Sequence, residues 1–489
     1  MKQFGILLLA SASLVAAQNP SPGSTPKTPA APDPAIVRAI AAISTTRIHD
    51  DIAKLVTFGN RSTLSSMDTD LPPATGVNAA ADWVFAEFTR ISQDCGNCLE
   101  VRRDDFIEPA SHAPNSRVTR DTRIQNIYAI LKGTDAAQAP RRILVTGHYD
   151  SRNSDNFNTH APAPGANDDA SGVAVSIESA RVLSNLKFPA TLVFVAVAGE
   201  EQGLNGSRHL AKLARSEKWD LEAVLNNDIV GGDTTPGQTG QDKQAVRIFS
   251  EGVPGPTTPE QLRLIETLGS ESDSPSRELA RAVADVAETY FKASTMQAPT
   301  PTPNRPHSQL AHLAAPFHPV LIFRRDRFLR GGDHTSFNAE GLPAIRFTEW
   351  QENFDHQHQT PRTEKNVEYG DFLKFVDPEY VANVARLNAA ALATFASAPG
   401  QPVDVHILTA ALDNSTELTW KAPAGAPLGT VYEVLWRPTE APTWTNAQSA
   451  GPHLSLKLPI SKDNVVFGVR SADAAGHRSP AVYPTPNFD

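Results

Sequence analysis

The feature that most constrains this chain is a train of short apolar runs. NIYAIL (126–131), RRILVTG (141–147), ATLVFVAV (190–197), LEAVLNND (221–228) and PAIRFTE (343–349) are apolar or β-branched over most of their length. A strand that is apolar on both alternating faces has to be covered on both, which is the condition of a sheet with helices on each side. Helix-like stretches separate several of the runs, at Ala170–Leu186, Gly206–Arg215 and Pro275–Ala293. The last has Ser274 as N-cap, Pro275 in the first helical position, and apolar residues at Leu279, Val283, Val286 and Tyr290, the 3.6-residue period of a one-sided helix. Two more helical patterns, Ala35–Val56 and Ala79–Ile91, precede the train. The alternation predicts an α/β domain with a mixed, mostly parallel central sheet flanked by helices. Polar, Gly- and Pro-rich Thr234–Thr258 reads as an inserted loop, and Gln297–Pro306 as a Pro-rich connection.

The grammar changes after Ala398-Pro399-Gly400. Short alternating strands and turns replace the helical period, predicting an all-β sandwich at 403–489. STELTW, TVYEVLWRP and NVVFGVRSADAAGHRSP resemble strands B, C and F–G of a fibronectin type III module, a resemblance carried by Trp420, Tyr432, Trp436 and the VRSADAAGHRS turn. At the other end, MKQFGILLLASASLVAAQ has a positive start, an apolar centre and a small-residue site, and reads as a signal peptide over 1–17 cleaved near Ala17. That implies a secreted or periplasmic protein without a membrane span. Residues 18–34, rich in Pro, Ser and Thr, are expected to be a disordered linker, and 35–400 the α/β domain. The only cysteines, Cys95 and Cys98, have no second pair to complete a zinc site; export favours a small loop disulfide. The formal charge of −10 argues against nucleic acid as a partner, since phosphate binding needs clustered Lys and Arg.

Chemistry collects just past the strands. RRILVTG runs into His148-Tyr149-Asp150. PGANDDASG, carrying Asp168 and Asp169, opens a helix. ATLVFVAV is followed by Gly199-Glu200-Glu201. LEAVLNND ends in Asp228, and RGGDHTSF supplies Asp333 and His334 before PAIRFTE. The carboxyl edge of an open α/β sheet is where ligands bind. Adjacent carboxylates such as Glu200 and Glu201 repel unless a cation lies between them, and mixed His and Asp/Glu donors point first to zinc, with manganese or cobalt as substitutes. Each motif alone is more often a solvated loop; five on one edge are not.

His148-x-Asp150, GANDDASG (165–172), GEEQG (199–203), Asn227-Asp228 and Gly332-Asp333-His334 together resemble the M28 family of di-zinc aminopeptidases, over roughly residues 40 to 395. The resemblance implies a zinc-exopeptidase fold and two Zn2+ per chain. His148 and Asp228 would hold one ion, Glu201 and His334 the other, and Asp168 would bridge them. Glu200 would be the general base, Asp150 would orient His148, and Asp168–Asp169 would be joined by a cis peptide bond. The family's oxyanion-stabilising tyrosine has no evident counterpart; Phe328 and Arg330 stand near where one would be sought. His356 and His358, in NFDHQHQTP, read as loop or pocket residues, because the ligand set is complete without them. The implied reaction is hydrolysis of N-terminal residues from peptides or proteins, with the C-terminal module available to bind a large substrate or matrix. Alternatives are a carboxypeptidase-like hydrolase or a glutaminyl cyclase on the same fold, or a non-catalytic binding protein.

Overall fold

The computed structural model describes residues 25–291, 317–410 and 412–487; the expected signal peptide and the Gln297–Pro306 connection lie outside them. A single mixed sheet runs through the larger part of the molecule. Its strands are β1 (Glu100–Glu108), β2 (Thr122–Leu131), β3 (Arg141–His148), β4 (Thr191–Val197), β5 (Asp220–Asn227), β6 (Ala245–Ser250), β7 (His318–Ile322) and β8 (Ala344–Glu349), in the order β1-β2-β4-β3-β5-β8-β6-β7. The centre, β4-β3-β5-β8, is parallel; on one side β1 and β2 run antiparallel to their neighbours, and on the other β6 is antiparallel to β8 and parallel to β7. Every residue of β4 is buried, as its unbroken apolar run demands. Each large apolar side chain so buried stabilises the fold by about 1.5–3 kcal/mol.

Helices cover both faces. One face carries α1 (Pro34–Ala41), α2 (Thr45–Val56), α3 (Gly76–Asp94), α4 (Ser171–Leu183), α7 (Pro275–Tyr290) and α9 (Pro378–Ser397), which share one core with the sheet. The other carries α5 (Asn205–Ser216) and the short α8 (His334–Ala339), packed over Leu144, Val193, Val195 and Val224, while α6 (Pro259–Leu268) has no buried residue and joins neither core. Ser274 caps α7 as expected, accepting from Arg277 N. The expected helix Ala35–Val56 is two helices, because Ser44 starts a new one with its own cap.

The inserted loop expected at Thr234–Thr258 is corrected: it contains β6, whose buried Val246 and Ile248 pair between β8 and β7. Its polar flanks masked a six-residue run. β1 escapes pattern reading because EVRRDDFIE is an edge strand with no fully buried position. α9 escapes it because it is apolar nearly all round and so has no period.

β9 (Arg362–Glu364) and β10 (Val367–Tyr369) pair in a small antiparallel hairpin, and the C-terminal strands after them form two sheets. β11 (Val403–Leu408), β12 (Thr416–Lys421), β15 (Ser455–Leu458) and β17 (Thr485–Asn487) make one; β13 (Val431–Pro438), β14 (Asn446–Gly451) and β16 (Val465–Ala472) make the other. Trp420, Leu418 and Leu458 from the first meet Tyr432, Val434, Trp436 and Phe467 from the second in one core, as in a sandwich. Residues 25–33 correct the linker expectation: Thr25 and Lys27 pair by backbone with β14, and Lys27 pairs with Asp285 and Glu288 of α7. Proline-rich backbone, lacking its own ladder, is ordered here by another strand's edge and by charge. Cys95 and Cys98 are joined in a disulfide at the end of α3. No helix among the described residues is long and apolar enough to cross a membrane.

Candidate metal centre

The loops at the carboxyl ends of the parallel strands converge. His148 is the last residue of β3, Asp228 follows β5 directly, and Glu200 and Glu201 lie just past β4. Close packing brings them together: a Cβ on Gly172 would sit 2.2 Å from Asn227 O, so α4 approaches the end of β5 only with glycine there. Gly165, with φ of 52°, turns the chain into the Asp168 loop, and the Asp168–Asp169 peptide bond is cis.

Two groups of donors could each hold a metal ion. His148, Glu200 and Asp228 form one, and Asp168, Glu201 and His358 the other. Asp168 spans them. Its Oδ1 lies 3.1 Å from His148 Nε2, and its Oδ2 lies 2.8 Å from His358 Nε2. His358 Nε2 is also 3.1 Å from Glu201 Oε2.

The donor chemistry fits a metal. His148 Nε2 and Glu201 Oε1 are buried without a hydrogen-bond partner, although carboxylates stand close to the imidazole. Burial opposes charging His148, but Asp150 and Asp168 overcome it and hold its pKa well above the ordinary value. Glu200 is pushed well above the carboxylate range by burial and, against the pull of His148, by crowding from Asp228, Glu201 and Asp333. A divalent cation among these groups reverses that logic, because it becomes the largest local charge.

Surrounding residues fix the donors. His148 Nδ1 bonds Asp150 O at 3.2 Å, with Asp150 Oδ1 3.4 Å away, while Asp150 Oδ2 accepts from Thr63 Oγ1 at 3.0 Å and from Glu201 N at 3.3 Å. Asp150 therefore orients a histidine and a glutamate at once. Asp169 ties three loops, accepting from His148 N at 3.0 Å, Gly172 N at 2.9 Å and Ile229 N at 3.2 Å. Arg346 holds Asp228 Oδ1 at 2.9 Å.

The structure corrects one expected ligand. His334 joins neither donor group among the described residues. It opens α8, and its Nε2–H donates to Arg325 O at 2.8 Å. Burial lowers its pKa, which suits a neutral ring used as a fixed hydrogen-bond donor. His358 stands in its place; Glu201, followed by Asp168, raises it to about 10 against the effect of burial. Its neighbour His356 turns the other way, stacking on Phe375 at 3.9 Å between ring centroids and lying 3.2 Å from Asp233. The HQH spacing marked both histidines, and only the course of the loop separates their roles. His148, Asp150, Asp168, Glu200, Glu201 and Asp228 are brought together as expected.

Two further residues carry no sequence signal. Asp371 accepts from Asn167 N at 2.9 Å and Asp168 N at 2.7 Å, holding the Asp168 loop from a segment some 200 residues away; burial pushes it up to about 6 even so. Arg152 donates to Glu201 Oε2 at 2.9 Å and reaches His358 Nδ1 with its other end. The donors open into a cavity of about 410 Å3 whose wall includes Arg117, Arg152, Arg327 and Arg330.

Comparison with known proteins agrees with this centre. The profile of Peptidase family M28 matches residues 126–253, which hold His148, Asp168, Glu200, Glu201 and Asp228. A probable zinc metalloprotease of Leptosphaeria maculans is 41% identical over 93% of this chain and 98% of its own. One of Pyricularia oryzae is 41% identical over 93% of this chain and 85% of its own. Among solved structures, the LapA aminopeptidase of Legionella pneumophila aligns over 74% of each chain at 18% identity and a TM-score of 0.47. The glutaminyl cyclase of Porphyromonas gingivalis aligns over 72% of this chain and 98% of its own, at 17% identity and a TM-score of 0.43. With the donor set, the order of the motifs and full-length relatives in agreement, this chain belongs to the M28 family of zinc metalloproteases.

Proposed function

We propose that this protein is a secreted aminopeptidase that uses two zinc ions to remove N-terminal residues from peptides. The observation that carries the reading is Asp168, whose two carboxylate oxygens face two different histidines, His148 and His358. A carboxylate so placed is suited to be shared by two ions, with His148 and Asp228 completing one site and Glu201 and His358 the other. Zinc bound there supplies a Lewis acid that polarises the scissile carbonyl and makes water acidic enough to be deprotonated near neutral pH.

The chain's own residues do the rest. Glu200 Oε takes the proton from the attacking water and delivers it to the departing amine. Asp150 keeps His148 in one tautomer by facing its Nδ1. Asp371 and Asp169 hold the Asp168 loop rigid, which preserves the spacing between the sites. The carboxylate-rich floor is also the place where a peptide's cationic α-amino group finds opposite charge. Among the described residues no tyrosine lines the cavity, so the oxyanion falls to other donors on that wall.

The apolar N-terminal segment at 1–17 supports export, and the disulfide fits an oxidising compartment. The two-sheet C-terminal unit is read as fibronectin type III-like on its Trp420, Tyr432 and Trp436 core, with a part in holding large substrates.

The test is hydrolysis of aminoacyl-anilides against N-acetylated controls by zinc-loaded protein, before and after chelation. Free-amine substrates should be cleaved, blocked ones should not, and chelator should abolish the difference. Equal cleavage of blocked substrates would refute the aminopeptidase assignment.

A further inference from the structure

The cavity over the donors has an unusual wall. Its carboxylates, Asp168, Glu200, Glu201 and Asp228, are all accounted for by metal binding and proton transfer. Its other charged groups are four arginines and His358. Two of the arginines are committed. Arg152 is held by Glu201 and His358. Arg327 is held by Asp326 at 3.1 Å and Glu352 at 3.0 Å, and donates to Gly331 O at 2.9 Å.

The remaining two lack a carboxylate of their own. Arg117 donates to Glu201 O at 2.8 Å and has no carboxylate within ion-pair distance among the described residues. Arg330 reaches Glu352 at 2.9 Å, but Arg247 and Arg327 pair with that same carboxylate. Three guanidiniums thus converge on Glu352, and of them Arg327 also has Asp326. Arg330 lies over Phe354, 5.1 Å from its ring centroid, which restrains the guanidinium. It also lines an adjoining hollow of about 750 Å3 with Arg152 and Arg362, which are paired with Glu201 and Glu364, and with no carboxylate among the described lining residues. This local positive excess stands on a chain of net charge −10. Apolar lining is scant: Leu204 and Leu329 are the cavity's large aliphatic residues, and Leu329 is 92% exposed. An apolar side chain gains little by entering, whereas a carboxylate gains forked, charge-assisted hydrogen bonds.

We propose that this site selects peptides that carry a carboxylate close to the scissile bond, held by Arg117 and Arg330. The inference rests on the peptidase reading above. The carboxylate has two possible sources, an acidic side chain or the C-terminus of a short peptide. In both cases the α-amine faces the carboxylate floor and the anion faces the arginine wall.

The experiment has two arms. One compares Glu with Gln at the N-terminal and next positions of otherwise identical peptides; the other compares dipeptides with their C-terminal amides. Both are read as kcat/KM and as equilibrium binding by calorimetry to the zinc-loaded protein, so that a protein that binds but does not cleave still gives an answer. The expected preference for the carboxylate form is roughly tenfold or more, the usual worth of a charge-assisted hydrogen bond, shrinking as salt is raised. In the double variant R117Q/R330Q the ratio should fall toward one, mainly through KM. A preference in the first arm alone assigns the side chain, in the second alone the C-terminus, and in both arms either. Gln and amide forms bound and cleaved as well as their acidic counterparts would overturn the proposal while leaving the peptidase reading intact. Carboxylate-selective binding without turnover of any peptide would overturn the peptidase reading instead.

Discussion

Two regions of this molecule bury charge, and they do so with opposite bookkeeping. At the seam between α7 and the C-terminal sandwich, acids and bases match. Asp273 and Glu278 face Arg281 and Arg437, all almost wholly buried. Arg437 holds Asp273 at 2.6 Å, Trp444 Nε1 donates to Glu278 at 2.9 Å, and Arg281 donates to Pro442 O at 2.8 Å. Nearby, Arg470 bridges Asp285 of α7 at 2.7 Å and Glu433 of the sandwich at 2.8 Å. At the metal centre, Asp150, Asp168, Asp169, Glu200, Glu201, Asp228 and Asp333 crowd together, with Arg152 and Arg346 as direct cationic partners. Both regions keep polar atoms without a hydrogen-bond partner, but at the seam they fall on acid and base alike (Asp273 Oδ2, Arg281 Nη2, Arg437 Nε), whereas at the centre both oxygens of Asp333 and one of Glu201 are left. A seam that neutralises itself is structure. A cluster that leaves buried carboxylates unpaired is incomplete without a cation, since buried charges persist only when paired or metal-bound.

The largest expected effect comes from disturbing the incomplete cluster. Glu200→Gln should retain metal and lose at least roughly 10²-fold in kcat, the scale of a lost general base. Asp168→Asn should lose both metal and activity, and should lower the unfolding midpoint, because ligands bound to the native state stabilise it. Metal analysis alongside kinetics separates the two. An Asp168→Asn protein that keeps its full complement of zinc would break the contrast between the regions.

Next comes the self-neutralised seam. Arg437→Met leaves Asp273 with Arg281 as its remaining guanidinium partner, and losing one member of a buried ion pair costs about 3–5 kcal/mol. Denaturant unfolding should show that loss with zinc content unchanged. The seam also ties the sandwich to α7 through buried ion pairs. Truncation after Gly400 removes Arg437, Trp444 and Arg470 from α7, so the shortened protein should be destabilised even though it keeps every metal donor. Equal stability of truncated and full-length protein would show that the seam contributes nothing.

The smallest effect sharpens the comparison through pH. His477 lies between Asp473 at 2.7 Å and Asp33, the N-cap of α1, at 3.0 Å. Burial opposes its charge, but Asp473 and then Asp33 overcome this and raise its pKa. A raised imidazole stabilises the fold fully below its unfolded value near pH 6.5, and the benefit fades as pH rises through the folded value. His477→Gln should therefore lower the melting temperature slightly at pH 6 and much less at pH 9. A difference independent of pH would contradict the charge argument.

The parallel core was legible because its strands are buried on both faces, so β4 stands out as an unbroken apolar run and β3, β5 and β8 as mostly apolar ones. The strand-end motifs were legible for a related reason: the sheet's carboxyl edge gathers whatever follows each strand. What failed was reach through loops. His334 follows GGD in an inviting pattern, but α8 turns it toward Arg325 O. His358 comes from a loop whose course depends on the Asn353–Asp233 and His356–Phe375 contacts, none of which a local pattern encodes. Asp371 acts across the fold through backbone N–H groups, which leave no mark on residue type. The Arg437–Asp273 pairing joins residues 164 apart and was invisible for the same reason.

The account turns on Asp168 standing between a His148 site and a His358 site. Zinc per chain, measured by mass spectrometry on dialysed protein, tests this directly in the wild type, His358→Ala and His334→Ala. The wild type should carry two zinc ions, folded His358→Ala one and folded His334→Ala two. Full zinc in His358→Ala together with loss of one ion in His334→Ala would contradict it.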